Sequence, residues 1–342
     1  MRILFVMDPI KKLHAKWDNS LALLREFARR GHECWTADAP DLSRTRGYVA
    51  AQCRRVTVRG RRHYPLSRAR CFDLKQFDLI LIRKEPPVNA RYLHMLRLLG
   101  RVAGRVSMVN HPRGIRNTNE KLSILKFPKW IPKTRVTKSP KAVLEFQKEI
   151  HKPVVVKPLD EKGGKGVFLL KQNSPSAWWR LARATQNGRK AVMVQEFIKA
   201  KRQGEKRVLI LNGGVFAAYE KRARGKEFRA NLGLGASFHR TSLSLRENKL
   251  VAALKPSLLK QGLYFVGIDV LEEKLIEINV TSPAGVTEAK FLYPRLPLVE
   301  AWADFLERFA PACQQARSGR GRSEAHCAGH SRETEAPLPS LP

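Results

Sequence analysis

The sequence has few acidic residues, scattered cysteines and no long apolar run. It contains 30 Asp and Glu residues against 65 Lys and Arg residues, which gives a formal charge of +35. Its five cysteines form no C-x-x-C pair, which excludes a cysteine zinc site and a disulfide scaffold. No apolar run reaches the length of a membrane span, and Asp8 interrupts the apolar start too early for a signal peptide. We therefore expect a cytoplasmic protein that does not associate with membranes.

The basic excess raises the question of a nucleic-acid partner, because Lys and Arg drive binding to phosphate backbones. The basic residues are nevertheless spread along the whole chain, with the densest run at 54–63. No helix-turn-helix, zinc-finger or RNA-recognition signature accompanies them. A diffusely basic surface is the favoured interpretation, so no specific nucleic-acid partner is expected. A basic nucleic-acid binder without turnover stays as the alternative from a different functional class.

The first third of the chain alternates apolar runs with helical patterns. Ile3–Met7 and Phe77–Ile82 are apolar runs, and Asp18 and Gly31 are suited to begin and end the helix that follows the first run. This β–α alternation indicates a parallel, Rossmann-like α/β domain over residues 1–120.

The rest of the chain divides into a second domain and a tail. Residues 121–310 combine strand, hairpin and helix patterns, which predicts an α+β domain. Residues 311–342 are basic and rich in Gly, Ser and Pro. A segment of this composition buries too little apolar surface to offset its ordering entropy. We therefore expect a disordered tail from about Pro311.

A hairpin near the end of the second domain carries the strongest chemical pattern. Its predicted turn centres on Glu273, so Asp269 is expected to face Glu277 across the hairpin. With the strand period of two, Asp269, Glu277 and Asn279 share one face. Oxygen ligands of this kind suit Mg²⁺, although a solvated polar face gives the same pattern. The opposite, core face is expected to carry Ile268, Val270, Ile276, Ile278 and Val280.

A lysine and a glycine-rich loop form the second pattern. Lys157 ends a run of β-branched residues, and Gly163, Gly164 and Gly166 follow it. Glycines let backbone N–H groups approach phosphate oxygens closely, and a lysine adds a point charge. The Walker spacing is absent, and a flexible hairpin tip is the alternative for the loop alone.

Together these residues resemble an ATP-grasp ligase. Within that class the chain resembles the bacterial-type glutathione synthetase family over about residues 1–310. The resemblance rests on motifs that occur in the family's order. They are MDPI (Met7–Ile10), RKEPP (Arg83–Pro87), NEKL (Asn119–Leu122), KPLD (Lys157–Asp160) and EINVTSP (Glu277–Pro283).

The resemblance implies a Rossmann-like N-terminal domain followed by an ATP-grasp fold, and it implies roles for individual residues. ATP is expected to contact Lys121, Lys157, Gly163, Gly164, Glu196, Phe197, Ile198 and Glu205. The acid and amine substrates are expected at Asp8, Arg83, Arg229, Asn231, Thr281, Ser282 and Pro283. The expected ligands of Mg²⁺, with Mn²⁺ as an alternative, are Asp269, Glu277 and Asn279. The expected catalytic residues are Arg207 and Arg222.

The implied reaction joins γ-glutamylcysteine and glycine to give glutathione, ADP and phosphate through an acyl phosphate. The family also implies a homo-oligomer. The sequence departs from the family near the lid, where Arg222 is the better match to a family arginine and Lys221 is the alternative. It departs again at Ala284-Gly285. A ligase for another acid or another amine therefore stays as the alternative within the class.

Overall fold

The first domain is built around a parallel sheet. The computed structural model of the chain describes residues 1–318 except 46, 61, 162, 201–203, 226–228 and 231–234, and for 312–318 it describes the backbone only. The elements of the first domain are β1 (Arg2–Met7), α1 (Asn19–Arg29), β2 (Glu33–Ala37), β3 (Leu42–Thr45), β4 (Tyr48–Arg55), β5 (Arg70–Asp73), β6 (Leu79–Arg83), α2 (Ala90–Val102), β7 (Ser107–Val109) and α3 (Pro112–Asn117).

The strand order is β3-β4-β2-β1-β6-β7, with β5 paired to β4. β1 pairs in parallel with β2 and β6, and β6 pairs in parallel with β7. β1 is apolar on both faces because helices cover both sides of a parallel sheet. Asp18 caps α1 by accepting a hydrogen bond from the Leu21 N–H, and Gly31 follows the helix with φ +79°. The predicted Rossmann-like sheet is confirmed.

The second domain contains two antiparallel sheets. The smaller sheet has the order β10-β9-β11-β8, and α4 and α5 pack on it through an apolar cluster that includes Val143, Phe146 and Leu181. Its elements are β8 (Thr134–Thr137), α4 (Pro140–Ile150), β9 (Val154–Pro158), β10 (Phe168–Leu170), α5 (Ala177–Ala184) and β11 (Val192–Glu196).

The larger sheet has the order β14-β13-β12-β15-β16. Leu250, Leu254 and Leu258 of α6 are fully buried against it, and a capping box of Ser244 and Glu247 begins that helix. The elements are β12 (Glu205–Leu211), β13 (Gly214–Arg222), β14 (Ser237–Arg240), α6 (Leu245–Lys260), β15 (Phe265–Leu271), β16 (Lys274–Asn279), α7 (Val286–Leu292) and α8 (Leu298–Ser318).

The final helix returns to the first domain. Trp302 and Leu306 of α8 are buried in one cluster with Ile3, Phe5 and Phe27. The predicted tail boundary at Pro311 needs correction, because α8 passes through Pro311 and ends at Ser318. The tertiary packing of the preceding turns fixes the helix despite the proline. The predicted disorder of the remaining tail, 319–342, lies outside the described residues.

The hairpin of β15 and β16 has the predicted register at its polar end. Asp269 lies opposite Glu277, and Gly267 lies opposite Asn279. The turn itself is tighter than predicted, because Leu271 pairs with Lys274 and a bulge lies beyond it. The bulge places Leu275 in the core, while Ile276 lines a cleft. The prediction that Ile276 belongs to the core face is therefore wrong.

Candidate active site

A cleft of about 770 Å³ lies between the two antiparallel sheets of the second domain. The first domain contributes Glu85 and Pro86 to its wall. The cleft brings together most of the residues that the sequence singled out. These are Lys121, Lys157, Gly163, Gly164, Glu196, Phe197, Ile198, Glu205, Arg207, Arg229, Asp269, Glu277, Asn279, Thr281, Ser282 and Pro283.

Two lysines project into the cleft from different elements. The Lys121 side chain is mostly buried; its Nζ donates to the Glu161 carbonyl at 2.6 Å and lies 3.4 Å from a Glu277 oxygen. The Lys157 Nζ, at the end of β9, donates to the Gln195 side-chain oxygen. Burial lowers the pKa of the Lys157 ammonium, and the nearby carboxylate of Glu277 opposes that shift. The negative oxygens of a bound phosphate chain would stabilise the charged ammonium in place of the water that burial removes.

A charge network surrounds Asp269. β12 and β15 are neighbours, and the Arg207 guanidinium donates to both Asp269 oxygens at 2.8 and 2.9 Å. The Lys221 Nζ donates to Asp269 at 2.9 Å and also pairs with Glu205. Although burial acts in the opposite direction, Arg207 and Lys221 hold the pKa of Asp269 well below its usual range. Arg207 and Lys221 are therefore positioned cations in a water-poor site.

Asp269, Glu277 and Asn279 have the donor chemistry of a magnesium site. They lie on one face of the hairpin, with an Asn279 amide nitrogen 3.3 Å from an Asp269 oxygen. Two carboxylates and an amide supply hard oxygen ligands. Among the described residues no group of three or more His, Cys, Asp and Glu side chains could hold a metal, so a metal here depends on the Asn279 amide. The three residues fit the predicted ion by ligand type and by convergence.

The structure separates Arg222 from the cleft. The Arg222 side chain is about half exposed and pairs with Glu220. Its neighbour Lys221 is buried in the cleft between Asp269 and Glu205. Consecutive side chains of a strand point to opposite faces, so only one of the two can face the substrates. Of the two alternatives that the sequence left for the family arginine, the structure places Lys221 in the cleft and Arg222 outside it.

Asp8 and Arg83 lie behind the cleft wall and do not line it. Asp8 accepts hydrogen bonds from the Lys84 ammonium at 2.7 Å and from the Glu85 N–H at 3.1 Å. Arg83 is buried and donates to the Ser20 hydroxyl and to the Pro283 carbonyl at 3.0 Å. Burial lowers the pKa of the Arg83 guanidinium. These contacts fix the wall from which Glu85 and Pro283 face the cleft.

The glycine loop and the lid approach each other. Gly163 and Gly164 have φ values of +63° and +73°, which glycine adopts without strain. The Arg229 guanidinium donates to the Gly164 carbonyl at 2.9 Å. Asn231, the other predicted lid residue, lies outside the described residues.

The opposite wall suits a nucleotide. Glu196, Phe197 and Ile198 line it at the end of β11, and Glu205 lies where β12 begins. Burial raises the pKa of the Glu205 carboxyl, against the attraction of Lys221. A carboxylate in this position can accept hydrogen bonds from hydroxyl groups of a sugar.

The sequence analysis missed Glu120. One of its carboxylate oxygens accepts from the Val280 N–H at 2.9 Å, the Thr281 N–H at 3.1 Å and the Thr281 hydroxyl at 2.9 Å. Burial raises the pKa of this carboxyl. Glu120 therefore holds the turn that follows β16. The sequence signal that could have identified Glu120 is its position beside Lys121 in the NEKL motif.

The fold and the cleft define an ATP-grasp ligase. A solved ATP-grasp protein with a RimK domain from Sphaerobacter thermophilus is similar to the chain with a TM-score of 0.57 and 19% identity, over 90% of this chain and 100% of that one. D-cycloserine synthetase DcsG is similar with a TM-score of 0.62 and 17% identity, over 89% of this chain and 99% of that one. At these identities the likeness shows the fold alone.

Family models and curated relatives identify the family within that class. The model described as prokaryotic glutathione synthetase, N-terminal domain, matches residues 1–116, and the model for the ATP-grasp domain of the same family matches residues 120–293. A glutathione synthetase of Gloeobacter violaceus is 39% identical over 300 residues, covering 85% of this chain and 92% of the relative. One of Brucella melitensis is 33% identical over 290 residues, covering 84% and 93%.

The chain belongs to the prokaryotic glutathione synthetase family. The predicted family, ATP-grasp fold and ATP-dependent ligase activity of glutathione synthesis are confirmed by these matches. In the part of the chain that the structure describes, no helix combines the length and apolarity needed to cross a membrane.

Proposed function

We propose that this cleft joins γ-glutamylcysteine to glycine. The observation that supports this assignment is the cluster of charged side chains around Asp269. In the first step an oxygen of the γ-glutamylcysteine carboxylate attacks the γ-phosphorus of ATP, and ADP leaves. In the second step the glycine amine attacks the acyl phosphate carbon, phosphate leaves, and the amine loses a proton. No protein nucleophile takes part.

The chain's own cations act on the first step. Two anions, a carboxylate and a polyphosphate, must approach each other, so positive side chains must offset their repulsion. Lys121 and Lys157 hold the phosphates, and Arg207 orients the reacting carboxylate. Asp269 fixes the Arg207 guanidinium through two hydrogen bonds. Lys221 supplies the second positioned charge.

A magnesium or manganese ion held by Asp269, Glu277 and Asn279 adds positive charge at the ATP phosphates when it is bound. Glu196, Phe197 and Ile198 surround the base, and Glu205 accepts from the ribose. We assign Arg229 and Asn231 to substrate binding, as the family resemblance implies. Exclusion of water protects the acyl phosphate from hydrolysis, so that it reacts with the amine.

The acid substrate lies against the wall that Asp8 and Arg83 support, beside Thr281, Ser282 and Pro283. The Arg83 contact to the Pro283 carbonyl sets the position of that wall. We assign Asp8 and Arg83 positioning roles on this basis.

ADP release with γ-glutamylcysteine across a panel of amino acids tests the substrates. Release with glycine well above every other amine is the expected result. Release with another amine alone would replace glycine as the acceptor. No release with γ-glutamylcysteine and any amine would overturn the assignment of the acid.

Lys157→Met tests the assignment of the cleft itself. Loss of a positioned cation at the phosphates should lower kcat/KM by about 10²–10³-fold. Lys171→Met is the matched control, because Lys171 is exposed beyond β10, and it should leave kcat/KM unchanged. Equal activity of the two variants would contradict the assignment.

We also propose that the chain works in the cytoplasm as a homo-oligomer. The support is the resemblance of the chain to the family, whose substrates are small molecules. Light scattering on the purified chain at two concentrations measures the assembly, and a mass of one chain at both would contradict the oligomer.

A further inference from the structure

A second cavity lies in the first domain, away from the cleft. It has a volume of about 550 Å³ and lies between β3 and α2. Its apolar floor is formed by the buried side chains of Leu42 and Leu98, and four exposed basic side chains surround that floor. They are Arg44, His94, Arg97 and Arg101. This cavity shares no lining residue with the cleft.

The helix places its basic residues on one side. His94, Arg97 and Arg101 are spaced i, i+3 and i+7 on α2, and Arg44 faces them from β3. Arg97 and Arg101 are like charges one turn apart, an arrangement that disfavours the helix. Within the described chain none of the three arginines has an ion-pair partner, and no carboxylate lines the cavity. The neighbouring Asp41 carboxylate accepts from the Asp38 N–H at 2.8 Å.

We propose that this cavity binds a small anion with two or more phosphate groups. Guanidinium groups match phosphate oxygens two at a time, and three of them converge here without a protein anion. The concave shape and volume are those of a small-molecule site, whereas a nucleic-acid duplex needs an extended face. The organic part of a nucleotide would pack against the apolar floor. An inorganic polyphosphate would lie over the floor without such packing.

Calorimetric titration of the full chain with inorganic tripolyphosphate tests the site. The titration is done without nucleotide, because an ATP analogue would itself occupy a polyphosphate site. A parallel titration of Lys157→Met identifies the binding that belongs to the cleft, so that the remaining sites can be counted. One site is expected, and the double variant Arg97→Gln/Arg101→Gln should weaken it by at least about tenfold. Arg183→Gln/Arg189→Gln removes the same charge from exposed positions elsewhere and should bind as the unaltered chain does.

Equal weakening of tripolyphosphate binding in the two double variants would show that only overall charge matters, and would overturn the site. The absence of any second binding site would overturn it as well. Both double variants should keep their melting temperature and their turnover. Titration with cytidine diphosphate distinguishes the two kinds of ligand. Tighter binding than that of tripolyphosphate would identify the ligand as a nucleotide, and weaker binding would identify it as an inorganic polyphosphate.

A separate observation concerns a buried carboxylate in the cleft. Glu288 of α7 lines the cleft with Pro283 and Ala284 and is only 7% exposed. Its carboxylate accepts from the neighbouring Thr287 hydroxyl at 2.9 Å. Within the described residues no Lys or Arg forms an ion pair with it. Burial raises the pKa of this carboxyl, although Arg207 lies near enough to oppose that shift, and a cation from outside the chain would stabilise the charged form.

We infer that Glu288 receives the α-ammonium group of the γ-glutamyl end of the acid substrate. This inference rests on the proposed function, which places the acid substrate beside Pro283. In the substrate the ammonium and the reacting carboxylate are at opposite ends. Glu288, on α7, lines the same cleft as Arg207 and Lys221, which lie on β12 and β13. Glu288 is thus a specificity-determining residue.

Glutarylcysteine, which lacks only the α-amino group, tests the contact in the unaltered enzyme. Its KM should exceed that of γ-glutamylcysteine by about tenfold or more. Glu288→Gln should raise the KM for γ-glutamylcysteine by a similar factor, abolish the discrimination and leave the KM for ATP unchanged. Equal use of both acids by the unaltered enzyme would overturn the inference and leave the proposed function standing. No turnover of either acid would defeat the proposed function instead.

Discussion

At the scale of single residues, the cleft is organised by a network of oppositely charged side chains in contact with one another. Asp269 is bonded to Arg207 and Lys221, and Lys221 also pairs with Glu205. Removal of one member leaves a buried charge without its partner, which is more damaging than loss of an exposed pair. Substitutions in this network therefore affect folding as well as turnover, so melting temperature must accompany every kinetic measurement.

The neighbours Lys221 and Arg222 give the sharpest comparison. Lys221→Gln should lower kcat/KM for ATP-dependent ligation by about 10²–10³-fold, because it removes a positioned cation from the reacting groups. Arg222→Gln keeps a donor for Glu220 and should change kcat/KM by less than about threefold. ADP release at saturating glycine measures both. A larger loss for Arg222→Gln would restore the arginine as the catalytic residue.

Glu120 stabilises the turn beyond β16. Glu120→Ala should reduce the free energy of unfolding by about 1–3 kcal/mol, because the donors of Val280 and Thr281 lose their acceptor. Glu120→Gln keeps an acceptor oxygen and should cost much less. Urea denaturation measures both variants, and equal stability of Glu120→Ala and the unaltered chain would show that these hydrogen bonds contribute nothing.

The sequence could predict which residues converge, but not which way each one points. The period of a strand is known, yet the face of Lys221 or Arg222 depends on where pairing with β14 begins. Glu120 acts through oxygen contacts to residues 160 positions away in the chain, which local pattern cannot reveal. Likewise Arg83 was found as a motif residue, but its burial behind Pro283 follows from tertiary packing.

At the scale of elements, the hairpin of β15 and β16 shows what pattern reasoning captures. The pairing of Asp269 with Glu277 was predicted from alternation about a turn. The structure has a shorter turn and a compensating bulge, so the polar pairs agree while Ile276 changes face. Sequence periodicity carries no signal for a single inserted residue in a strand.

Several strands had no clear signal in the sequence. β3, β4 and β5 extend the first sheet with antiparallel pairing, and their sequences mix Arg with short apolar stretches. Among the described strands β3 and β5 pair with β4 alone, and strands at a sheet edge have one solvated side, so their apolar content is low. They form because neighbouring strands offer hydrogen-bond partners, which is information from outside the segment.

The junction of α1 and α8 predicts an acid-sensitive contact. Arg30 donates to Glu26 at 2.7 Å and to Asp304 and Glu307 of α8 at 2.6 and 2.7 Å. Hydrogen bonds from Arg29, against burial, lower the pKa of Glu26 from 4.5 to about 2. The stabilisation from this carboxylate is therefore complete above pH 4.5 and is lost as pH falls from 4.5 towards 2.

Urea denaturation across that pH range measures the effect. The unaltered chain should lose stability more steeply than Glu26→Gln as the pH falls, and the two should converge near the lowest pH. Glu145→Gln, which removes an exposed carboxylate from α4, should keep the steep slope. Parallel curves for the unaltered chain and Glu26→Gln would contradict the role of the contact.

At the scale of the whole molecule, the tail is expected to be dispensable. Deletion of 319–342 removes a segment rich in Gly, Ser and Pro with little to bury, so kcat/KM and the melting temperature should stay within experimental error. Truncation after Val299 is the contrasting variant, because it removes Trp302 and Leu306 from the core. It should yield unfolded or insoluble protein. A loss of activity on removal of 319–342 alone would give the tail a structural role.

The return of α8 to the first domain bears on how the chain is made on the ribosome. Domains commonly fold in order of synthesis, N-terminal part first. Here the cluster around Ile3, Phe5 and Phe27 is closed by Trp302 and Leu306, and the Ala310 carbonyl accepts from the Ser107 hydroxyl at 2.9 Å. The first-made sheet therefore leaves the exit tunnel with one apolar side covered by α1 alone, and it stays so until the much later α8 segment has been synthesised.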